Sequence, residues 1–146
     1  MAILPILTWP DRRLSRRCAE VAEITPEVAQ LAADMLETMY AAPGRGLAGP
    51  QVGAMLRLFV MDTDWKDGPR APKVVINPDI LWMDDTRIEG PEGCLSLPGI
   101  IPQISRATAI RLRYTGLDGA EREELLYGFA AICAQHEFDH LDGIMT

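Results

Sequence analysis

Gly128-Phe129-Ala130-Ala131-Ile132-Cys133-Ala134-Gln135-His136-Glu137-Phe138-Asp139-His140-Leu141-Asp142-Gly143 is the stretch whose reading decides the fold. It predicts a last helix over about residues 128–142, stopped by Gly143. Its inward stripe is Phe129, Ile132, Cys133, His136 and His140, so an apolar face leads straight into two histidines. Residues four apart share one face of a helix, which lets both imidazoles reach a single metal ion. Glu137 then stands where a carboxylate can take a proton from metal-bound water. The chain has only two His, and both fall here.

Upstream of that helix, Ile110-Arg111-Leu112-Arg113-Tyr114 alternates strictly, predicting a strand with one buried face and its arginines in water. The turn signal Asp118-Gly119 pairs it with residues 121–126 as a hairpin. Leu56-Arg57-Leu58-Phe59-Val60-Met61 and Lys73-Val74-Val75-Ile76 read as further strands, separated by a polar, turn-rich stretch over 62–72. Thr25-Pro26-Glu27 opens an earlier helix with a hydroxyl cap, Pro at the first helical position and an acid in the first turn. Val28, Leu31, Ala32, Met35 and Met39 recur at helical spacing to about Tyr40. Pro43-Gly44-Arg45-Gly46 breaks that helix and begins a glycine-rich segment reaching Gly53. Together these predict an α+β domain whose mainly antiparallel sheet packs around the histidine-bearing helix.

A chain of 146 residues is expected to form one domain over 1–146, because halving it would leave two cores too small to be stable. Hydrophobic residues make up 48% and aromatics 6%, so aliphatics and seven Met must fill the core. The formal charge of −7 argues against nucleic acid as a partner. The densest basic stretch, Asp11-Arg12-Arg13-Leu14-Ser15-Arg16-Arg17, reads as solvated surface. No apolar run is long enough to span a membrane, and the N-terminal residues lack the marks of a signal peptide, so a cytoplasmic location is expected. Three Cys (Cys18, Cys94 and Cys133) are too few for a disulfide framework and suit a reducing compartment.

A catalytic metal site needs a third protein ligand and an open fourth position. Cys94, Cys18, Cys133 and a carboxylate are all open to that role. Cys94 sits in Glu92-Gly93-Cys94-Leu95-Ser96-Leu97-Pro98, where glycine allows close backbone approach. Cys133 shares the histidine face but reads as wall, since three ligands from one helix rarely close around one ion. The glycine-rich segment lacks the Lys and Ser or Thr of a phosphate loop, which excludes a nucleotide site of that kind and leaves Gln51 as its hydrogen-bonding side chain.

Three segments, Gly46-Leu47-Ala48-Gly49-Pro50-Gln51, Glu92-Gly93-Cys94-Leu95-Ser96 and Gln135-His136-Glu137-Phe138-Asp139-His140, resemble in order and spacing the three motifs of the peptide deformylase family. The resemblance runs from the Ile6-Leu7 region to Gly143. It implies a hydrolase that removes the formyl group from formyl-methionine on new proteins. Its partners are formyl-methionyl peptides or nascent chains, and a monomer is expected. The same resemblance implies one divalent metal per chain, Fe²⁺ or in its place Zn²⁺ or Ni²⁺, on Cys94, His136 and His140. It makes Glu137 the proton shuttle, with Gln51 and the Leu95 N–H on the oxyanion. Substrate backbone is implied along residues 44–46 (Gly44, Arg45 and Gly46), and the methionine side chain in a pocket walled by Glu92, Phe129, Ile132, Cys133 and His136. Four positions depart from the family's habit. Gly49 replaces the usual Ala and is expected to loosen the loop before Gln51. Arg45 replaces a small apolar residue, and Gly90 and Ile101 replace a larger apolar residue and an arginine. Arg45, Gly90 and Ile101 motivate one alternative, a related hydrolase acting on another N-acyl peptide; a second, a non-catalytic peptide-binding paralogue, is argued against by the intact Glu137.

Overall fold

The computed structural model describes residues 2–145. Thr25 caps the first helix as its sequence predicts, its hydroxyl accepting the Val28 N–H at 3.3 Å, and α1 runs over Pro26–Ala41. Seven strands follow before the last helix: β1 (Gly46–Ala48), β2 (Leu58–Met61), β3 (Lys73–Met83), β4 (Arg87–Pro91), β5 (Gln103–Ala107), β6 (Ala109–Thr115) and β7 (Glu121–Tyr127). The last helix, α2, spans Gly128–Leu141. Five strands form one sheet in the order β1-β2-β3-β6-β7, and β4 with β5 forms a separate two-stranded sheet. Every pairing between these strands is antiparallel.

The central sheet is covered on both faces. Leu58 and Val60 of β2 join Val28, Met35 and Met39 of α1 in one apolar cluster. Phe59 and Met61, the alternate residues, join Ala131, Ala134 and Leu141 of α2 in the other. This is why β2 is a continuous apolar run: strand periodicity sends successive side chains to opposite cores. Both faces being filled, α2 is held firmly enough to carry a site.

Helices and the β6–β7 hairpin fall where the sequence puts them, and three differences have physical causes. Leu56 lies outside β2 and makes only an isolated parallel bridge with Ala19. The strand expected over 73–76 continues to Met83, past Pro78, because register shifts in its pairing with β6 absorb the irregularity. The β4–β5 pair has no apolar alternation to announce it, being exposed along most of its length. Among the described residues, no helix is long and apolar enough to cross a membrane.

The C-terminal end of α2 is fixed by a buried arginine. Arg57 donates to the Leu141 carbonyl oxygen at 2.9 Å and pairs with Asp142 at 2.9 Å, placing a cation where the helix dipole is negative. At the other flank, Gln135 spans from α2 to β5. Its Oε1 accepts the Ala107 N–H at 3.1 Å and its Nε2 donates to the Ala107 oxygen at 2.8 Å. The helix therefore cannot rotate without breaking polar contacts at its middle and its C-terminal end.

Candidate metal centre

His136 and His140, one turn apart on α2, turn their Nε2 atoms to the same point, 3.2 Å from each other. Cys94, in the segment after β4, brings Sγ to 3.5 Å from the His140 Nε2. The three ligand atoms all lie within 4.8 Å of one another. Tetrahedral ligation at ~2.3 Å to sulfur and ~2.1 Å to nitrogen would separate S from N by about 3.6 Å and N from N by about 3.4 Å. The His136–His140 and Cys94–His140 separations are thus close to those a metal would impose. Cys18 and Cys133 lie outside the cluster, both buried and both free thiols.

Hydrogen bonds and burial around the cluster orient His136 and keep His140 neutral. His136 Nδ1 lies 2.9 Å from Glu92 Oε1, so its proton points at that carboxylate and Nε2 is left for the cluster. Arg106 grips the same carboxylate with Nε and Nη2, each at 2.9 Å, and reaches Asp139 with Nη1 at 2.5 Å. Burial alone would raise Glu92, but hydrogen bonds from His136 and Arg106 outweigh it and hold the carboxyl at about 2. Burial pushes His140 down to about 3, with the charges at His136 and Arg106 adding to it, so this imidazole stays neutral. His136 is pushed up to about 10: burial lowers it, yet its hydrogen bonds to Cys94 and Glu92 prevail.

Glu137 faces the cavity side of the helix. Burial raises its carboxyl to about 7, against the pull of His136 and Arg106, and its Oε1 is buried without a hydrogen-bond partner. A Cβ on Gly46 would lie 2.5 Å from Glu137 Oε2 and 2.8 Å from Cys133 Sγ, so only glycine lets β1 pass this close. Gln51, 2% exposed, is held from both ends of its amide. Its Oε1 accepts the Ala48 N–H at 2.9 Å, while Nε2 donates to Ser96 Oγ at 3.0 Å and approaches Cys94 Sγ at 3.6 Å. An orphaned carboxylate oxygen beside a cysteine sulfur and two imidazoles fits a hydrolytic metal centre.

The wider comparisons agree with this geometry. The sequence profile of the family described as Polypeptide deformylase matches residues 3–146. The chain belongs to the peptide deformylase family. A peptide deformylase of Afipia carboxidovorans is 47% identical over 145 residues, covering 99% of this chain and 85% of that protein. The crystal structure of the Thermotoga maritima peptide deformylase superposes with a TM-score of 0.92 at 40% identity, covering 99% of this chain and 95% of that one. An Acinetobacter baumannii class I type b peptide deformylase, solved with Met-Ala-Ser bound, gives 0.91 at 33% identity over 99% of this chain and 96% of that one. Peptide deformylases are metal-dependent hydrolases that remove the N-formyl group from nascent peptides.

A cavity of about 330 Å³ opens beside the cluster, and the residues expected along its walls are there. Glu92, Ile132, Cys133 and His136 line it together with Arg45, Gly46, Gln51 and Leu95. Phe129, expected on the inward stripe, is instead 49% exposed and borders the cavity from near the solvent-exposed start of α2. Gly44 also departs from its expected part. Its N–H donates to the Met39 oxygen at 2.7 Å and its own oxygen accepts from Trp65 Nε1 at 2.9 Å, so both backbone groups are engaged within the chain. Gly49, expected to loosen its loop, does the reverse. A Cβ there would meet the Ala54 and Leu56 oxygens at 2.6 and 2.9 Å, so the turn before Gln51 is packed closer than an alanine would permit. Arg106, Ser96 and Trp65 escaped the sequence reading, since a buried arginine or a serine buttress carries no spacing signal.

Proposed function

We propose that this chain deformylates formyl-methionine at the N-terminus of newly made proteins, with Cys94, His136 and His140 holding one divalent ion. The observation that carries the reading is the meeting of that three-atom cluster with a buried, unpartnered Glu137 carboxylate at the edge of one cavity. A divalent ion held there supplies a Lewis acid that lowers the pKa of water and polarises a carbonyl oxygen. Fe²⁺ is the ion expected in the cell, with Zn²⁺ or Ni²⁺ able to replace it, because thiolate with two imidazoles suits all three.

Glu137 takes a proton from the attacking water as oxygen bonds to the formyl carbon, and later gives it to the departing amine. Formate and a free N-terminal amine result, with no other reactant required. The Gln51 amide, fixed by Ala48 and Ser96, and the Leu95 N–H, which meets no backbone acceptor among the described residues, hold the oxyanion. The peptide backbone adds along the edge of β1 at Arg45 and Gly46. The methionine side chain fills the cavity between Ile132, Cys133 and Phe129, which is worth roughly 2 kcal/mol of binding. The chain works as a monomeric single-domain enzyme over 1–146, in a reducing cytoplasm that keeps Cys94 from oxidising.

Hydrolysis of formyl-Met-Ala-Ser against its acetylated counterpart, on protein loaded anaerobically with Fe²⁺, tests this. Turnover of the formyl peptide alone is expected. Faster turnover of the acetyl peptide would overturn the reading in favour of a different N-acyl hydrolase.

A further inference from the structure

Arg45 is anchored at its base and pinned at its head. Its carbonyl oxygen accepts the Asp62 N–H at 2.9 Å and lies 3.7 Å from Cys133 Sγ. Its guanidinium carbon lies over the Phe129 ring, 5.4 Å from the centroid, at the mouth of the cavity both residues line. Stacking on an aromatic face leaves the guanidinium edge, with its N–H donors, pointing outward from the ring. That edge has no counter-charge: no ion pair engages Arg45 among the described residues. Its Nε is buried without a hydrogen-bond partner. A chain with 21 acidic and 14 basic residues has thus left one cation unpaired where its substrate enters.

Substrate geometry says what that cation meets. In an extended peptide, successive side chains point to opposite sides, so residues one and three share a face. With the methionine side chain in the cavity, the second side chain points away and the third returns to the cavity's rim. We propose that Arg45 reads the third residue of the formyl peptide and favours Asp or Glu there. The inference rests on the deformylase reading above. A planar guanidinium and a carboxylate suit each other through paired N–H donors, whereas lysine at the same place meets a like charge. The contact exists in the bound ground state as much as in the transition state, so it acts on KM and leaves kcat alone.

The test compares formyl-Met-Ala-Asp with formyl-Met-Ala-Lys, and formyl-Met-Asp-Ala with formyl-Met-Lys-Ala, on metal-loaded enzyme at low and high salt. The expected kcat/KM ratio is about two- to fivefold in favour of Asp at position three, the size usual for an exposed charge pair. It should fall towards one as salt shortens the screening length, about 10 Å at 0.1 M. Arg45→Ile should abolish the ratio, Arg45→Lys keep part of it and Arg45→Glu invert it. Each variant is judged by its own Asp-to-Lys ratio, so a general loss of activity does not obscure the result. Binding of the product peptides Met-Ala-Asp and Met-Ala-Lys gives the same comparison without turnover. Equal, non-zero rates on the position-three pair, a ratio that survives Arg45→Ile, or a preference confined to position two would each overturn the proposal while leaving deformylation intact. Hydrolysis of none of the formyl peptides would overturn the deformylase reading and this inference with it.

Discussion

At the scale of single residues, the site depends on what is missing at Gly46 as much as on what Glu137 supplies. Glu137 sits one residue after His136 and outside the Cys94–His136–His140 cluster, so its removal would separate chemistry from metal binding. Glu137→Ala is expected to retain stoichiometric metal and to lose most of kcat, because a proton-transfer role acts in the transition state. Metal analysis beside steady-state kinetics checks this, and activity surviving within a few-fold would place the proton shuttle elsewhere. Gly46→Ala attacks the same group sterically. Its Cβ would fall 2.5 Å from Glu137 Oε2, so the carboxylate must move away from the reacting atoms. A loss of about 10²-fold in kcat with the metal kept is the expected result, the size usual for a displacement near 1 Å in an active site.

At the scale of elements, α2 presents the histidines, but the β4–β5 sheet locks them. Arg106 of β5 ties Glu92, which follows β4, to Asp139 of α2, and Glu92 in turn holds His136. Arg106→Met leaves the Glu92 carboxylate buried without its cation, a change that costs about 3–5 kcal/mol when one partner of a buried pair is removed. Tm should drop, and metal affinity should fall roughly 10–100-fold because His136 loses its orienting support. A thermal melt and a competitive metal titration check the two effects, and unchanged metal affinity would make the pair purely structural.

The same elements explain what was legible in the sequence. Helix α2, its spacing of His136 and His140, the Thr25 cap and the β6–β7 hairpin are all local patterns, and each stands in the structure. Cys94 could be singled out from the residues only as one thiol among three, and the order of the three motifs was needed to prefer it. Arg106, the β4–β5 pairing and the engagement of Gly44 by Trp65 are tertiary facts with no local period. Gly49 shows the limit most clearly: a missing methyl suggests looseness until the carbonyl oxygens that fill its place are seen.

At the scale of the whole molecule, a metal held by Cys94, His136 and His140 would cross-link the fold as well as serve chemistry. Cys94 and His140 are 46 residues apart in the chain, one following the small sheet and the other near the end of α2. An ion held by both therefore joins the β4–β5 sheet to the helix that spans the core. Binding to the folded state alone stabilises by about 2.7 kcal/mol when free metal is a hundred times its Kd. For a chain of this size that is a rise of roughly 5–10 °C in Tm. Chelation should lower Tm by that amount and abolish turnover, and Zn²⁺ or Ni²⁺ should restore the Tm. Glu137→Ala should melt with the same metal-dependent increment as the unaltered chain, since it keeps all three ligands. Cys94→Ala should lose most of the increment, because only the two helical imidazoles remain and neither crosses to the other sheet. Melts of the three proteins with and without chelator decide the matter. A Cys94→Ala protein that still gains the full increment would show the ion held by α2 alone, and would remove the cross-link from the account of stability.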